Sequence, residues 1–372
     1  MRIGILTHPP KHNYGGILQA WALQTVLEGM GHEVDVFVPA RDYCEFFQLL
    51  FLWSKRSVLK LLGKLDVPVL YEYYQYRAIW KKSRLIQKFT RRKIHLCGVS
   101  GLNLIPSKKY DAIIVGSDQV WRKRYMWGTW QCVVPADMFL SSIADAGLIR
   151  VAYAASLGIG EWEYDEDETA LISAALNRFN AVSVREKSAV EILHEATGIE
   201  AEFVLDPTML IPAEQYCRLA GCEVHSGGGL VSYILDPTDD KTMMIENIRK
   251  TKGYVHRELE RYGDEAKIGI EDWVAGFASA DMIVTDSFHG CVFSIIFNKP
   301  LLFVINETRG NARFDSLVQV FGLERNMVKD IRNVDLSRDF KLPSDIQSRM
   351  DVMKEKSMVF LKSALSGRNK MN

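Results

Sequence analysis

The first 38 residues constrain the fold most. Residues 2–7 (RIGILT) form a short apolar run that fits a buried strand. A polar, glycine-containing stretch follows, residues 8–16 (HPPKHNYGG). Ala20, Leu23, Leu27 and Met30 then recur at spacings of three and four, which lays an apolar stripe along a helix. Gly31 stands where a helix C-terminus favours glycine. Residues 32–38 (HEVDVFV) alternate polar and apolar as a second strand. Strand, glycine loop, helix and strand make a βαβ unit, and such units build parallel sheets.

The same rhythm continues along the chain. Residues 111–116 (DAIIVG), 150–155 (RVAYAA), 181–184 (AVSV) and 201–205 (AEFVL) read as strands. A helix is expected over 169–179, after the acidic stretch 161–168, whose charge suits the positive end of the helix dipole. Another is expected over 186–197, ended by Gly198. A boundary falls between 217 and 229, where Ser226-Gly227-Gly228-Gly229 is the most flexible stretch. Beyond it the strands 230–235, 281–285 and 301–305 alternate with helices over 239–250, 271–280 and 291–297. The tail 344–365 reads as one amphipathic helix capped by Ser344 or Asp345. A chain of 372 residues exceeds what one core serves. The expectation is therefore an α/β protein of two Rossmann-like domains, 1–222 and 223–343, with parallel sheets facing a cleft. Residues 344–372 supply a helix packing back and a tail.

One segment breaks the rhythm. Between 53 and 95 twelve basic residues stand against two acidic ones, among many aromatic and leucine side chains. It reads as helices inserted into the first domain at about 45–109. Such helices either rest on an anionic inner membrane leaflet, present a solvated face, or join copies of the chain as a homo-oligomer.

Elsewhere composition narrows the function. Lys+Arg and Asp+Glu balance at 46 each, so charge predicts no nucleic-acid partner. The six cysteines form no Cys-x-x-Cys pair and no Cys/His cluster of zinc-ligand spacing. No metal is expected, and the thiols read as free in a reducing compartment. The first residues lack a signal-peptide core, and no apolar run is long enough to cross a bilayer. A cytoplasmic protein is expected.

In open α/β sheets ligands bind beyond the carboxyl ends of the strands, which singles out certain loops. Asn13, Tyr14, Gly15 and Gly16 precede a helix, and read either as an anion-binding turn or as a turn that needs glycine. Ser117 and Asp118 directly follow a buried strand. Asp118 suits a sugar hydroxyl or the role of a base, and Trp121 either stacks on a sugar ring or lies in the core. Ser156 reads as a cap. Arg185, at another strand end, suits a phosphate or carboxylate, or merely pairs with Glu186. Asp206 in Asp-Pro-Thr reads as a turn cap. The run Thr285-Asp286-Ser287-Phe288-His289-Gly290 puts hydroxyls, an imidazole and a helix start around one point. His289 is the candidate for proton transfer, with Ser287 and Gly290 beside the ligand. Cys291 reads as core. Arg309 and Arg313 flank a glycine near the same edge, and read either as binding a phosphorylated donor or as exposed loop charges.

Taken together, several segments resemble the polysaccharide pyruvyl transferase family. They are NYGGILQAWALQ, YDAIIVGSDQVW, VAYAASLG, AVSVREKSA, VLDPTML and ADMIVTDSFHGCVFSIIFNKP, in family order over nearly the whole chain. The resemblance implies a glycosyltransferase-B-like fold, phosphoenolpyruvate as co-substrate, no cofactor or metal, and a glycan or lipid-linked sugar as acceptor. The product would be a pyruvate ketal, made on the way to a cell-surface polysaccharide or exopolysaccharide. His289 matches the family's histidine, Arg185 an arginine facing the donor, and Asp118 the acceptor side. One position departs: Ser287 stands where the family's Thr-x-Arg-x-His pattern carries arginine. The cation that holds the donor must then come from Arg185, Arg309 or Arg313. Two other functions suit such a chain: a glycosyltransferase using a nucleotide-sugar, and a non-catalytic glycan-binding protein.

Overall fold

The computed structural model describes residues 1–10, 13–40, 53–60, 69–70, 83–126, 130, 134–143, 147–259, 268–306 and 310–367. Among them two sheets form. The first contains β1 (Arg2–Leu6), β2 (Glu33–Pro39), β3 (Leu96–Val99), β4 (Ala112–Val115), β5 (Ile149–Ala155), β6 (Ala181–Val184) and β7 (Glu202–Phe203), in the order β3-β2-β1-β4-β5-β6-β7. The second contains β8 (Leu230–Tyr233), β9 (His256–Glu258), β10 (Met282–Thr285), β11 (Leu301–Val304) and β12 (Met327–Val328), in the order β12-β11-β10-β8-β9. Every pairing between named strands is parallel. The central strands β4, β8, β10 and β11 are buried along their whole length. Covered on both faces, they need continuous apolar runs rather than alternation.

Each sheet has one seam where the strand order reverses direction, between β1 and β4 in the first and between β8 and β10 in the second. A crevice opens at the carboxyl ends of such a seam.

The helices are α1 (Tyr14–Gly29), α2 (Glu166–Leu176), α3 (Lys187–Thr197), α4 (Ala213–Ala220), α5 (Asp239–Lys252), α6 (Ile270–Ser279), α7 (Phe288–Ile296), α8 (Ala312–Phe321) and α9 (Ile346–Leu365). Two start earlier than the apolar periodicity suggests. Asn13 caps α1 by accepting from the Gly15 N–H at 3.1 Å, so Tyr14, Gly15 and Gly16 lie in its first turn. Ser287 caps α7, so His289 and Gly290 sit in that helix rather than before it. Strands β3, β9 and β12 escape sequence reading. They are two to four residues long, lie at the sheet edges, and are only partly buried, so they carry no apolar run.

Of the basic insertion, residues 53–60 and 83–93 are helical, and the rest lies outside the described residues. The second piece is not a wholly solvated face. Ile86 and Phe89 join the core beside α1, and Gln24 of α1 donates to the Lys93 carbonyl and accepts from the His95 N–H. No helix among the described residues is long and apolar enough to cross a membrane.

The two sheets are clamped together by aromatic packing. The Tyr14 ring stacks on Trp273 with centroids 5.6 Å apart, and its hydroxyl donates to the Ile268 carbonyl. Tyr216 of α4 touches Trp21 on one side and Phe293 on the other. Helix α9 runs back over β5 and the 207–210 turn while touching α8. The Ser357 hydroxyl on α9 accepts from the Leu205 N–H.

Candidate functional site

Four loops of the first sheet and the start of α7 meet at one buried point. After β1 the chain places Thr7 and His8. After β4 it places Ser117, Asp118 and Gln119, after β6 Arg185 and Glu186, and after β7 Asp206. From the second sheet, α7 brings Phe288 and His289. Glycine permits the approach. A Cβ on Gly15 would overlap the His289 ring, and one on Gly16 would stand 3.2 Å from Asp118 Oδ2. Gly310, at φ +95°, lies against the Gly158 carbonyl and brings the two domains' loops together at the rim. The Lys187 N–H donates to Ser316 Oγ across the same rim at 2.9 Å.

Asp206 is the hub. Its Oδ1 caps the local turn, accepting from the Thr208 N–H and hydroxyl. Its Oδ2 accepts from Ser117 Oγ at 2.9 Å and from Arg185 NH1 at 2.7 Å, and lies 3.7 Å from His289 Nε2. Burial alone would push this carboxyl up, but His289, Arg185 and Thr208 hold it far below the usual carboxylate range. Asp118 follows the same pattern. Burial opposes its charge, yet His8, Arg185, His289 and the Gln119 N–H hold its carboxyl below the ordinary value.

Arg185 is buried at 3% exposure with one nitrogen committed to Asp206. Its NH2 stands 3.9 Å from Asp118 Oδ1, and neither it, Nε nor His289 Nε2 makes a hydrogen bond. Buried polar atoms are nearly always satisfied, so such unpartnered donors mark a place where a ligand completes them. Arg313, in the first turn of α8, adds a second cation. The Arg185 and Arg313 guanidinium carbons stand 4.6 and 5.6 Å from the centre of the Phe288 ring. Burial and the neighbouring Arg185 charge pull Arg313 down to about 10. Glu186 and Asp118 oppose that shift, so the two guanidinium groups stand together among carboxylates.

The sequence-predicted residues divide accordingly. Asp118, Ser117, Arg185, His289 and Arg313 are brought together. Arg309 lies outside the described residues. Trp121 is no sugar platform: it is fully buried, stacks on Phe139 at 4.8 Å and donates from its indole N–H to the Met138 carbonyl. Tyr14 belongs to the clamp between sheets. Asn13 serves α1 as a cap. Ser287 caps α7 with its hydroxyl, and Gly290 is needed because a Cβ there would overlap the Thr285 hydroxyl. Arg185 and Glu186 are not a surface pair, because both are buried, and Glu186 instead takes the Ser156 hydroxyl. Burial pushes the Glu186 carboxyl up.

Two residues escape sequence reading. Asp206 reads there only as a cap. His8 lies in the 8–16 loop, but its partner Gln119 is 111 positions away and no local signal announces it. Among the described residues no three His, Cys, Asp or Glu side chains are grouped to hold a metal.

The buried site, open on a guanidinium edge and an imidazole, suits a small anion and a proton transfer. Solved structures similar in architecture include the UDP-GlcNAc 2-epimerase of Methanocaldococcus jannaschii, at 11% identity and TM-score 0.46, covering 97% of this chain and 99% of that one. UGT89C1 of Arabidopsis thaliana, solved with UDP-L-rhamnose, stands at 11% identity and TM-score 0.46, with 98% of each chain covered. The E. coli heptosyltransferase WaaC stands at 14% and 0.33, with 82% and 87% covered. No curated protein matches the chain. Residues 13–308, by contrast, match the sequence profile of the polysaccharide pyruvyl transferases, a span that includes the loops after β4, β6 and β7 and His289. The chain belongs to the polysaccharide pyruvyl transferase family and is a transferase.

Proposed function

We propose that the protein moves a pyruvyl group from phosphoenolpyruvate to a sugar of a glycan precursor, forming a ketal and releasing phosphate. The observation that supports this most is the unpartnered edge of Arg185, facing the same point as His289 Nε2 with Arg313 beside it. A donor with a carboxylate and a phosphate needs two cations, and its methylene carbon needs a proton. Arg185 and Arg313 take the anionic groups, and His289 supplies the proton. Arg313 thereby serves in place of the arginine that Ser287 replaces. The acceptor sugar, free or lipid-linked, enters on the Asp118 side. The chemistry calls for no metal or cofactor.

Titration calorimetry with phosphoenolpyruvate tests the reading. The unaltered chain is expected to bind it, and Arg185→Lys to bind it about ten- to a hundredfold more weakly. A charge-assisted hydrogen bond of about 1.5–3 kcal/mol is lost with the fork. Absence of binding to the unaltered chain at millimolar donor sinks the proposal.

A further inference from the structure

The seam between β1 and β4 carries a second imidazole. His8 follows β1 and lies partly buried beside Asp118, between the Gln119 backbone and the Tyr125 ring. Its Nε2 stands 2.9 Å from the Gln119 carbonyl oxygen. A carbonyl only accepts, so in the neutral ring Nε2 carries the hydrogen and Nδ1 keeps its lone pair. Resting on the pyruvyl-transfer reading, we propose that His8 is the base that takes the acceptor hydroxyl's proton, on Nδ1, with Asp118 as the carboxylate that stabilises the resulting imidazolium.

Three observations carry this. Asp118 is held at φ +88°, outside the range a non-glycine residue prefers. Its carbonyl accepts from both the Val120 and Ser156 N–H groups, which over-determines the backbone there. Strain kept in place in this way collects at functional sites. Second, Asp118 is a poor base on its own. Burial opposes its charge, but His8 when protonated, Arg185 and His289 hold its carboxyl below the ordinary value, so it fits the role of a fixed negative charge. Third, the charged and titratable groups around His8 are sorted. Asp118, next to the Gln119 that His8 meets, bears on it electrostatically from the β4 loop, and Tyr125 meets its ring edge-on at 6.1 Å with the Arg122 guanidinium over the Tyr125 ring. His289 lies within reach of Asp206, its Nε2 3.7 Å from Asp206 Oδ2. Both imidazoles bear on the Asp118 carboxylate.

The step balances as follows. The acceptor hydroxyl gives its proton to His8 Nδ1 while its oxygen bonds to the central carbon of the donor. The donor's double-bond pair takes a proton from His289 at the methylene carbon. A second hydroxyl then forms the other C–O bond as the bond to phosphate breaks, and phosphate leaves with that electron pair. Of the two hydroxyl protons, one replaces the proton His289 gave and the other leaves with phosphate, so both rings return to their starting state.

The test has two arms on the full chain. In the first, nitrogen-15 NMR of histidine-labelled protein, with His8 assigned by its absence in His8→Gln, is expected to show the Nε2–H tautomer. An Nδ1–H tautomer overturns the assignment. In the second, phosphate release from phosphoenolpyruvate is followed with methyl hexopyranosides as acceptor probes. Glutamine keeps a donor for the Gln119 carbonyl but has no basic nitrogen. His8→Gln is expected to lower kcat by about a hundredfold with donor affinity unchanged, and added imidazole is expected to restore part of the rate to His8→Ala. A His8→Gln rate within threefold of the unaltered chain, or a loss of donor binding that accounts for the whole loss of rate, overturns it. Failure of the unaltered chain to bind phosphoenolpyruvate strikes the function and not His8, whose tautomer the first arm still decides.

Discussion

Both sheets reverse strand order at one seam, and each seam has a buried aspartate near it, but the two are finished differently. At the β8/β10 seam Asp286 accepts from the Leu235 and Asp236 N–H groups, from Lys241 Nζ at 2.8 Å and from Asn306. Lys241 in turn donates to the Asp236 carbonyl. Every partner named here comes from the loops and helix that follow strands of the same sheet. At the β1/β4 seam the crevice is spanned by the Thr7 hydroxyl on the Ser117 carbonyl and by His8 on the Gln119 carbonyl. Beyond it Asp206 gathers Arg185 and Ser117, yet the donors around it keep unspent capacity in Arg185 Nε and His289 Nε2. A saturated polar cluster acts as a strut, and an unsaturated one acts as a receptor. The donors are therefore expected to bind ligand at the first seam, while the second supports the domain.

The largest effect should come from breaking the strut. Asp286→Ala leaves the Lys241 ammonium, 91% buried in its side chain, without its carboxylate. Removing one partner of a buried pair costs about 3–5 kcal/mol. Urea denaturation followed by circular dichroism is expected to show that loss, with phosphoenolpyruvate affinity kept in the fraction that stays folded. A variant as stable as the parent would show that the second seam is not load-carrying and would erase the contrast.

Gly15→Ala reverses the pattern. Alanine is a better helix former than glycine, so the first turn of α1 gains stability of up to about 1 kcal/mol where space allows. Here the new methyl meets the His289 ring and must displace it. Misplacing a catalytic group by about 1 Å costs on the order of a hundredfold in rate. The expected result is a folded protein with phosphate release down by about that factor. Undiminished turnover would mean that His289 does not work from this position.

How much of this is legible in the sequence depends on how far apart the partners lie. The parallel sheets follow from residues 2–38 and the later βαβ rhythm, because apolar strands and periodic helices are local signals. His289, Arg185 and Asp118 are found by the rule that ligands gather at strand ends. Asp206 is legible by halves: Oδ1 caps Asp-Pro-Thr as the local sequence predicts, whereas Oδ2 serves Ser117, Arg185 and His289 from three distant segments. Trp121 misleads for the opposite reason. Its side chain type suits a sugar face, but the turn at Asp118 directs the ring inward onto Phe139. The edge strands β3, β9 and β12 are too short and too polar to be read before the sheet that pairs them is known.

The smallest effect separates two acids within the receptor itself. Asp206 and Glu186 are both buried and both near Arg185, yet their carboxyls move in opposite directions. Asp206, held below its ordinary value, stays ionised in the fold while the unfolded chain takes up a proton. The unfolded state binds more protons, so this share of stability is full above about pH 4 and is lost as pH falls further. Glu186 is pushed up by burial, with Arg185, Ser156 and Arg313 opposing the shift only in part. Its folded form holds a proton that the unfolded chain has released, so its contribution is favourable below about pH 4 and is lost as pH rises through the folded value. Urea midpoints read from pH 3 to pH 8 should therefore diverge in opposite senses. Asp206→Asn is expected to flatten the acid limb. Glu186→Gln, which keeps an acceptor for the Ser156 hydroxyl, is expected to gain on the parent as pH rises above about 5 and to match it near pH 3. If the two variants shift the profile in the same direction, the carboxylates share one environment. The division of the site into a carboxyl held low at Asp206 and one pushed up at Glu186 would then be wrong.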